Sequence, residues 1–448
     1  MMSTIVSDRR TFLKTSAIAA TSLTVPLGSA RAQGSNERLI VGLMGVGGRG
    51  RFLADCLVQR KDCEIAYVCD VDSRRFGDAV KAIEKAQGAA PKTTMDFRQM
   101  LDDKDVDALV IATPDHWHAL PTIMACQAGK DVYVEKPASH NIWEGRKMVQ
   151  AARKYNRVVQ LGTQTRSADY ALAAAEYIRS GQLGDVHYVR VLNMKERGTI
   201  GKQPDGPAPE GVDYDTWLGA APKRPFNPNR FHYAWHWFWD YSGGDIINDG
   251  VHQLDLARWL IGQSYPRSVV TTGGQYYFKD DQECPDTQCV HFEFDKLTMV
   301  TELALWTPYM KKEAWEHRDL DEFPNWTFDA TRVEVFGTKN LMYIGRHGGG
   351  YQVFDADWKP IAEGPGHHPH VPHIDNFFEC CRTRQRPNAD IEEGHKSTVL
   401  CHLGNISYRL GGRRLRFDSG SERFIDDDEA NALAVRIGRE PWNIPERV

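Results

Sequence analysis

Apolar runs at residues 39–44, 64–69, 108–112, 132–134 and 158–161 alternate with stretches of helical character at 51–59, 73–85, 116–128 and 142–154. Short, continuously apolar strands separated by helices are the pattern of a doubly wound parallel sheet buried on both faces. The ligand crevice of such a sheet lies beyond the carboxyl ends of its strands. That places Thr113-Pro114, Glu135-Lys136-Pro137 and Gly162-Thr163-Gln164 on one edge. Beyond residue 162 the pattern changes. Longer strand-like stretches at 186–192, 267–272, 289–294 and 332–336 predict an open, mostly antiparallel sheet, and 392–410 reads as a C-terminal helix. A Pro-rich segment at 201–228 reads as a surface loop or insertion. The predicted fold class is α/β: an N-terminal doubly wound sheet over 37–162, then an α/β domain with an open sheet over 163–448.

The first apolar run leads directly into Gly45-Val46-Gly47-Gly48-Arg49-Gly50, and Asp70 ends the second. This is a Rossmann dinucleotide-binding fingerprint in its required setting of strand, glycine turn, helix, strand and acid. Gly45 permits the tight turn, Gly47 lets the backbone approach a pyrophosphate, and Gly50 lets helix and strand pack closely. Free N–H groups at the helix start, around Gly48 and Arg49, meet the phosphates. Asp70 stands where a carboxylate accepts both ribose hydroxyls and repels a 2′-phosphate, so NAD is expected rather than NADP. Arg74 and Arg75 lie close to that choice.

Upstream, Asp8-Arg9-Arg10-Thr11-Phe12-Leu13-Lys14 precedes a mildly apolar stretch from Ala17 to Leu27, and Ala30-Arg31-Ala32 follows. Residues 1–32 resemble a twin-arginine export signal, a route for folded proteins. Free NAD is not expected outside the cytoplasm. The expectation is therefore an exported, periplasmic protein that carries its nicotinamide bound. A chain of 448 residues holds two domains with substantial cores. Its formal charge is −5, and removing residues 1–32 takes away four basic residues and one acidic one, leaving −8. Nucleic acid and anionic membranes are not indicated as partners. No run after the leader is long enough to span a bilayer. Of nine cysteines, Cys56, Cys63, Cys69 and Cys126 read as small buried thiols, while Cys284 and Cys289 could bridge in an oxidising compartment.

With the fingerprint upstream, Glu135-Lys136-Pro137 and Gly243-Gly244-Asp245-Ile246-Ile247-Asn248-Asp249-Gly250-Val251-His252-Gln253-Leu254-Asp255 agree in order and spacing with one family. The chain resembles the Gfo/Idh/MocA oxidoreductases from Arg38 to the end of the second domain. The resemblance implies that Lys136 sits beside the nicotinamide and the reacting carbon of a sugar or polyol. It implies that His252 is the acid/base, and that the protein is a homo-oligomer. The chemistry is consistent without the family. Oxidising a secondary alcohol requires the hydroxyl proton to leave; a histidine takes it at neutral pH, and an ammonium stabilises the developing alkoxide. Asp249 and Asp255 each stand three residues from His252, so either is expected to orient its imidazole. The family commonly has aspartate four residues before this histidine; here it is Asn248, which cannot accept the proton.

Six aromatic residues crowd positions 231–240. An ordinary core stripe is one reading. A carbohydrate platform is the other, with Trp235, His236 and Trp237 as contacts, since sugar C–H faces stack on indoles. Gln164 and Arg166 at the domain crossover are expected to bind hydroxyls, as are Asn248 and Asp249. Thr113, Pro114, His118 and Glu135 are expected around the cofactor. Four histidines at 367–373 suggest metal, but the intervening prolines and missing carboxylate favour a loop, and no metal is expected. His395 and His402 share a helix face and read as packing residues. Together these readings give an exported oxidoreductase that oxidises a secondary hydroxyl of a sugar or glycoside with tightly held NAD. The alternatives are an NAD-dependent glycoside hydrolase working by transient oxidation and elimination, and a non-catalytic NAD-bearing sugar-binding protein.

Overall fold

The computed structural model describes residues 38–448; the leader-like residues 1–32 lie outside them. The first sheet contains β1 (Leu39–Met44), β2 (Cys63–Cys69), β3 (Lys92–Thr94), β4 (Ala108–Ile111), β5 (Asp131–Val134) and β6 (Val159–Leu161). Its order is β3-β2-β1-β4-β5-β6, with every pairing parallel. Strand order reverses between β1 and β4, so the crevice opens at their carboxyl ends. Five of these strands coincide with the apolar runs. The polar edge strand β3 has no such signature, and two of its three residues are exposed.

The second sheet contains β7 (Val186–Met194), β8 (Ser268–Gly274), β9 (Thr287–Glu293), β10 (Thr298–Ala304), β11 (Val333–Gly337), β12 (Leu341–Ile344), β13 (Tyr351–Phe354), β14 (Pro360–Gly364), β15 (Leu415–Asp418) and β16 (Arg423–Phe424). Only β7 and β10 pair in parallel; all other neighbours are antiparallel. Side chains alternate as a half-covered sheet requires. On β9, Gln288, Val290 and Phe292 are buried while Thr287, Cys289, His291 and Glu293 are not. The helices Asp169–Arg179, Val251–Leu260 and Ile391–Arg409 lie against this sheet. All nine cysteines are free thiols. Cys284 is buried, whereas Cys289 faces the uncovered side of β9, 3.5 Å from His291 Nε2, so the bridge considered from sequence does not form.

The chain returns to the first sheet near its end. Helix His370–Thr383 buries Ile374, Phe377 and Phe378 in the same cluster as Val41, Leu43 and Val110. The histidine-rich segment, read as a loop, thus runs into this helix. His373 bonds Ser167 Oγ at 2.8 Å and Leu161 O at 2.9 Å. His395 and His402 are buried packing residues, bonded to Glu422 and to Ser139 O.

Arg166, expected to meet substrate, is instead a buried strut. Its Nε donates to both Asp255 oxygens, at 2.9 and 2.8 Å, and Ser397 Oγ donates to the same carboxylate at 2.6 Å. Arg258 completes the group through Ser397 Oγ and Glu393. The crossover segment is thereby tied to two helices of the second domain. Removing one partner of a buried pair strands the other charge, a loss of about 3–5 kcal/mol. Asp255→Ala is therefore expected to lower unfolding free energy in denaturant titration by about that amount, and Asp255→Asn, which still accepts a hydrogen bond, by less.

Candidate functional site

A cavity of about 560 Å³ lies at the carboxyl edge of the first sheet and is closed by residues of the second domain. Its dinucleotide end is built by glycines. Gly45 has φ +88°, and a Cβ there would stand 2.6 Å from Ala112 O. A Cβ at Gly50 would stand 1.8 Å from Gly45 O. Only glycine fits these two positions. Nothing lies within 4 Å of a Cβ built on Gly48, and helix Gly48–Val58 has no acid in its first turn. That leaves a helix N-terminus suited to a pyrophosphate. Asp70 lines the cavity and accepts from Val46 N and Asp72 N, both at 3.0 Å. Burial raises its pKa, and those two N–H bonds oppose the rise. Arg74 is taken up by Asp72, while Arg75 lines the cavity. These residues fit an NAD-sized dinucleotide with its ribose at Asp70.

Thr113, Pro114, Glu135 and Gln164 also line the cavity. Arg49 Nε donates to Glu135 Oε1 at 2.7 Å, and Gln164 Nε2 to the same oxygen at 3.2 Å. Arg49, Glu135 and Gln164 thus form one braced wall. His118, expected at the cofactor, lies behind the wall. It is fully buried, with Nδ1 2.6 Å from Pro137 O and Nε2 3.0 Å from Thr113 O. It packs between the two loops that carry Thr113 and Lys136, its single N–H as a neutral ring donating to one of the two carbonyls, and it is absent from the cavity lining.

Lys136 Nζ donates to Asn248 O at 2.6 Å and Asn248 Oδ1 at 3.2 Å. Burial lowers its pKa, while Asp115 and Glu135 pull the other way. Asp115, on the same cavity wall, is fully buried; desolvation pushes its pKa up to about 7, against the pull of Lys136 and the Ser242 hydroxyl. Asn248 sits in the π-helical turn Ile246–Gly250, which runs into helix Val251–Leu260. Its Nδ2 donates to Asp245 Oδ1 at 3.1 Å. An aspartate at 248 would face the Asp245 carboxylate across that contact, a like-charge repulsion the amide avoids.

His252 lines the cavity, and its Nδ1 lies 3.2 Å from His347 Nε2 with the rings edge to face. Burial first, then Arg346 and Lys136, hold its pKa well below the ordinary range, so the ring is a neutral base. Neither expected aspartate orients it. Asp255 belongs to Arg166, and Asp249 is held by Lys195, by Arg346 at 3.0 Å and by Arg197 at 3.2 Å. Arg346 and His347 come from the turn after β12, far away in sequence; the run Arg346-His347-Gly348-Gly349-Gly350 was the available signal.

Trp235 and His236 line the cavity as a stacked pair, ring centroids 3.7 Å apart. Trp237 does not reach it: it is buried beneath Arg197, whose guanidinium lies 4.9 Å above the ring. The Pro-rich segment contributes more than a surface loop. Gly211 O accepts from Ser73 N at 2.9 Å, and the helix Tyr214–Leu218 brings Trp217 into the cavity wall. Trp315 and His370 complete a second aromatic wall, their rings stacked 5.2 Å apart. Among the described residues no group of three or more His, Cys, Asp or Glu could hold a metal, and no helix is long and apolar enough to cross a membrane.

Comparison with known proteins agrees with this geometry. Residues 39–163 match the oxidoreductase family's NAD-binding Rossmann fold, and residues 197–279 and 334–444 match the same family's C-terminal alpha/beta domain. A glycosyl hydrolase family 109 protein of Stenotrophomonas maltophilia is 30% identical over 215 residues, 46% of this chain and 47% of that one. The levoglucosan dehydrogenase of Pseudarthrobacter phenanthrenivorans is 28% identical over 182 residues, 40% of each. The chain thus spans about half the length of the curated relatives it matches. The solved aldose-aldose oxidoreductase of Caulobacter crescentus superposes with TM-score 0.63 at 19% identity, covering 85% of this chain and all of that one. With both domains matched, in order and across most of its length, the chain belongs to the Gfo/Idh/MocA oxidoreductase family.

Proposed function

We propose that this protein oxidises a secondary hydroxyl of a sugar or glycoside. The observation that carries the reading is that Lys136, Asn248 and His252 line one cavity with the dinucleotide cradle. NAD, when bound there, supplies the hydride acceptor. With His252 Nδ1 engaged by His347, Nε2 is the nitrogen left to take the hydroxyl proton. The Lys136 ammonium, fixed by Asn248, stabilises the alkoxide as it forms. The stacked Trp235–His236 pair offers a face for the sugar ring, and Asn248 can meet a hydroxyl. Residues 1–32 act as the twin-arginine leader, NAD travels bound, and the mature protein works in the periplasm as a homo-oligomer. With retained NAD, turnover needs the hydride returned, to another sugar or to the same one.

The likeness to a glycosyl hydrolase family 109 protein favours one second reading: transient oxidation acidifies a neighbouring C–H, elimination breaks the glycosidic bond, water adds to the resulting double bond, and the hydride returns to the sugar. Net sugar oxidation and aglycone release without net redox separate the two.

Kinetics with added NAD and a panel of sugars and glycosides tests the assignment. Lys136→Met is expected to lower kcat about 100- to 1000-fold, as removal of an oxyanion donor does, with sugar binding retained; full activity contradicts the mechanism. His347→Ala is expected to lower kcat about tenfold with little change in KM, the equivalent of one orienting hydrogen bond, and His347→Gln to recover part of it. Because the pKa of His252 is lowered, its neutral form persists as pH falls. The acid limb of kcat/KM set by His252 is therefore expected below the ordinary histidine range; a limb at or above that range that persists in Asp115→Asn, which removes the carboxyl pushed up to about 7 on the same wall, contradicts the role of His252.

A further inference from the structure

A second cavity, about 420 Å³, shares Tyr233 and Asn248 with the first. It therefore opens beside the amide that holds Lys136. Its charged lining is Lys195, Arg197, Lys311 and Lys312 against Glu196 and Asp249. Of these two carboxylates Glu196 is exposed and Asp249 is already engaged. Asp249 is shared by Lys195, Arg197 and Arg346, and Asp245 behind it by Lys195 at 3.1 Å and Arg197 at 2.6 Å. Lys312 forms no ion pair with a carboxylate among the described residues; its strongest electrostatic neighbour is the guanidinium of Arg346, with Arg318 and Arg197 adding to the same sign. That repulsion, followed by desolvation and opposed by Asp245, brings the ammonium down to about 6, so an anion placed beside it would restore its charge. Two of the cations behind this wall are themselves buried, Arg346 at 4% exposure and Arg318 at 2%. Arg346 Nε and Arg318 Nη2 have no hydrogen-bond partner. Asp329 offsets part of the charge of Arg318 and Arg346; an anionic substituent compensates the positive charge that remains at the cavity, whereas a sugar carrying only hydroxyls does not.

We propose that this annex binds an anionic group on the substrate, a carboxylate or a phosphate attached to the sugar, with Lys312 as its contact and Arg197 adding to the positive field. The inference rests on the sugar-oxidation reading for what enters the first cavity, and it deepens that reading. An anion anchored beside Asn248 fixes the ring at one end, and so selects which secondary hydroxyl faces Lys136 and His252. Lys312 suits the role because it stands exposed on the cavity lining and a bound anion restores the charge that its cationic neighbours suppress, while Arg197, whose fork already spans Tyr233, Asp245 and Asp249, adds positive field.

The test uses the full protein loaded with NAD and three probes: D-glucose, D-glucuronate and D-glucose 6-phosphate. Dissociation constants are read from tryptophan fluorescence at fixed ionic strength for the wild type, Lys312→Ala and Lys312→Arg. Absorbance of reduced nicotinamide is recorded separately in the same samples. The expected result is at least about tenfold tighter binding of one anionic sugar than of glucose, the equivalent of one charge-assisted contact. Lys312→Ala is expected to abolish that ratio and Lys312→Arg to restore it. Glucuronate and glucose 6-phosphate are alternative arms, and whichever is preferred names the anion. Equal or tighter binding of glucose, a preference that survives Lys312→Ala, or failure of all three probes to bind overturns the proposal. Anion preference without reduced nicotinamide leaves the annex standing and counts against oxidation of these sugars. Reduced nicotinamide from glucose with no anion preference removes the annex and leaves oxidation in place.

Discussion

The ammonium of Lys136 is half-buried and hydrogen-bonded to two neutral oxygens of Asn248, the peptide carbonyl and the side-chain amide. Burying a cation is costly unless its donors are satisfied and negative charge lies near. Asn248 satisfies two donors, and Asp115 and Glu135 supply the field. The same contact joins the end of β5 in the first sheet to the turn before helix Val251–Leu260 in the second domain. It therefore fixes the lysine and His252 relative to one another. Much of the surrounding polar structure serves that placement: His118 packs between the loops carrying Thr113 and Pro137, and Asp245 holds the Asn248 amide in one orientation.

Viewed this way, Asn248 is part of a charge arrangement and not a weakened aspartate. Asp245 and Asp249 are committed to Lys195, Arg197 and Arg346, which leaves no carboxylate to pair with the imidazole. His347 takes the orienting position instead. A histidine pair keeps the base neutral and adds no charge beside Lys136. The cost is that a proton accepted by His252 would be poorly stabilised, consistent with its lowered pKa. A neutral base next to a fixed ammonium suits removal of a proton from a hydroxyl whose oxygen is becoming negative.

The first sheet was legible because a parallel sheet covered on both faces demands uninterrupted apolar strands, and five of its six strands have them. The polar edge strand β3 was not, since its residues carry no burial pattern. In the second sheet the strands near 186, 267, 289 and 332 were legible from length and alternation. The short strands from β12 to β16 were hidden among glycine and proline turns. Site residues within the glycine fingerprint, the Glu-Lys-Pro segment and the start of helix Val251–Leu260 were readable because their chemistry depends on local spacing. The partners of His252 were not. Helical spacing pointed to Asp249 and Asp255, but arginines from residues 166 and 346 captured both carboxylates, and His347 arrived from a turn ninety-five residues away. Trp217 escaped notice for a similar reason: a proline-rich segment reads as exposed until tertiary structure folds it over the cavity.

If this cavity oxidises a sugar hydroxyl against a nicotinamide that stays with the protein, both the bound nucleotide and its reduction are visible spectroscopically. The most direct measurement is the near-ultraviolet spectrum of the protein purified without added nucleotide, before and after mixing with sugars and glycosides. Bound oxidised NAD is expected at the outset, and a reduced-nicotinamide band on mixing with at least one sugar. Protein free of nucleotide would contradict the retained cofactor, and bound NAD that no sugar or glycoside reduces would contradict the oxidation itself.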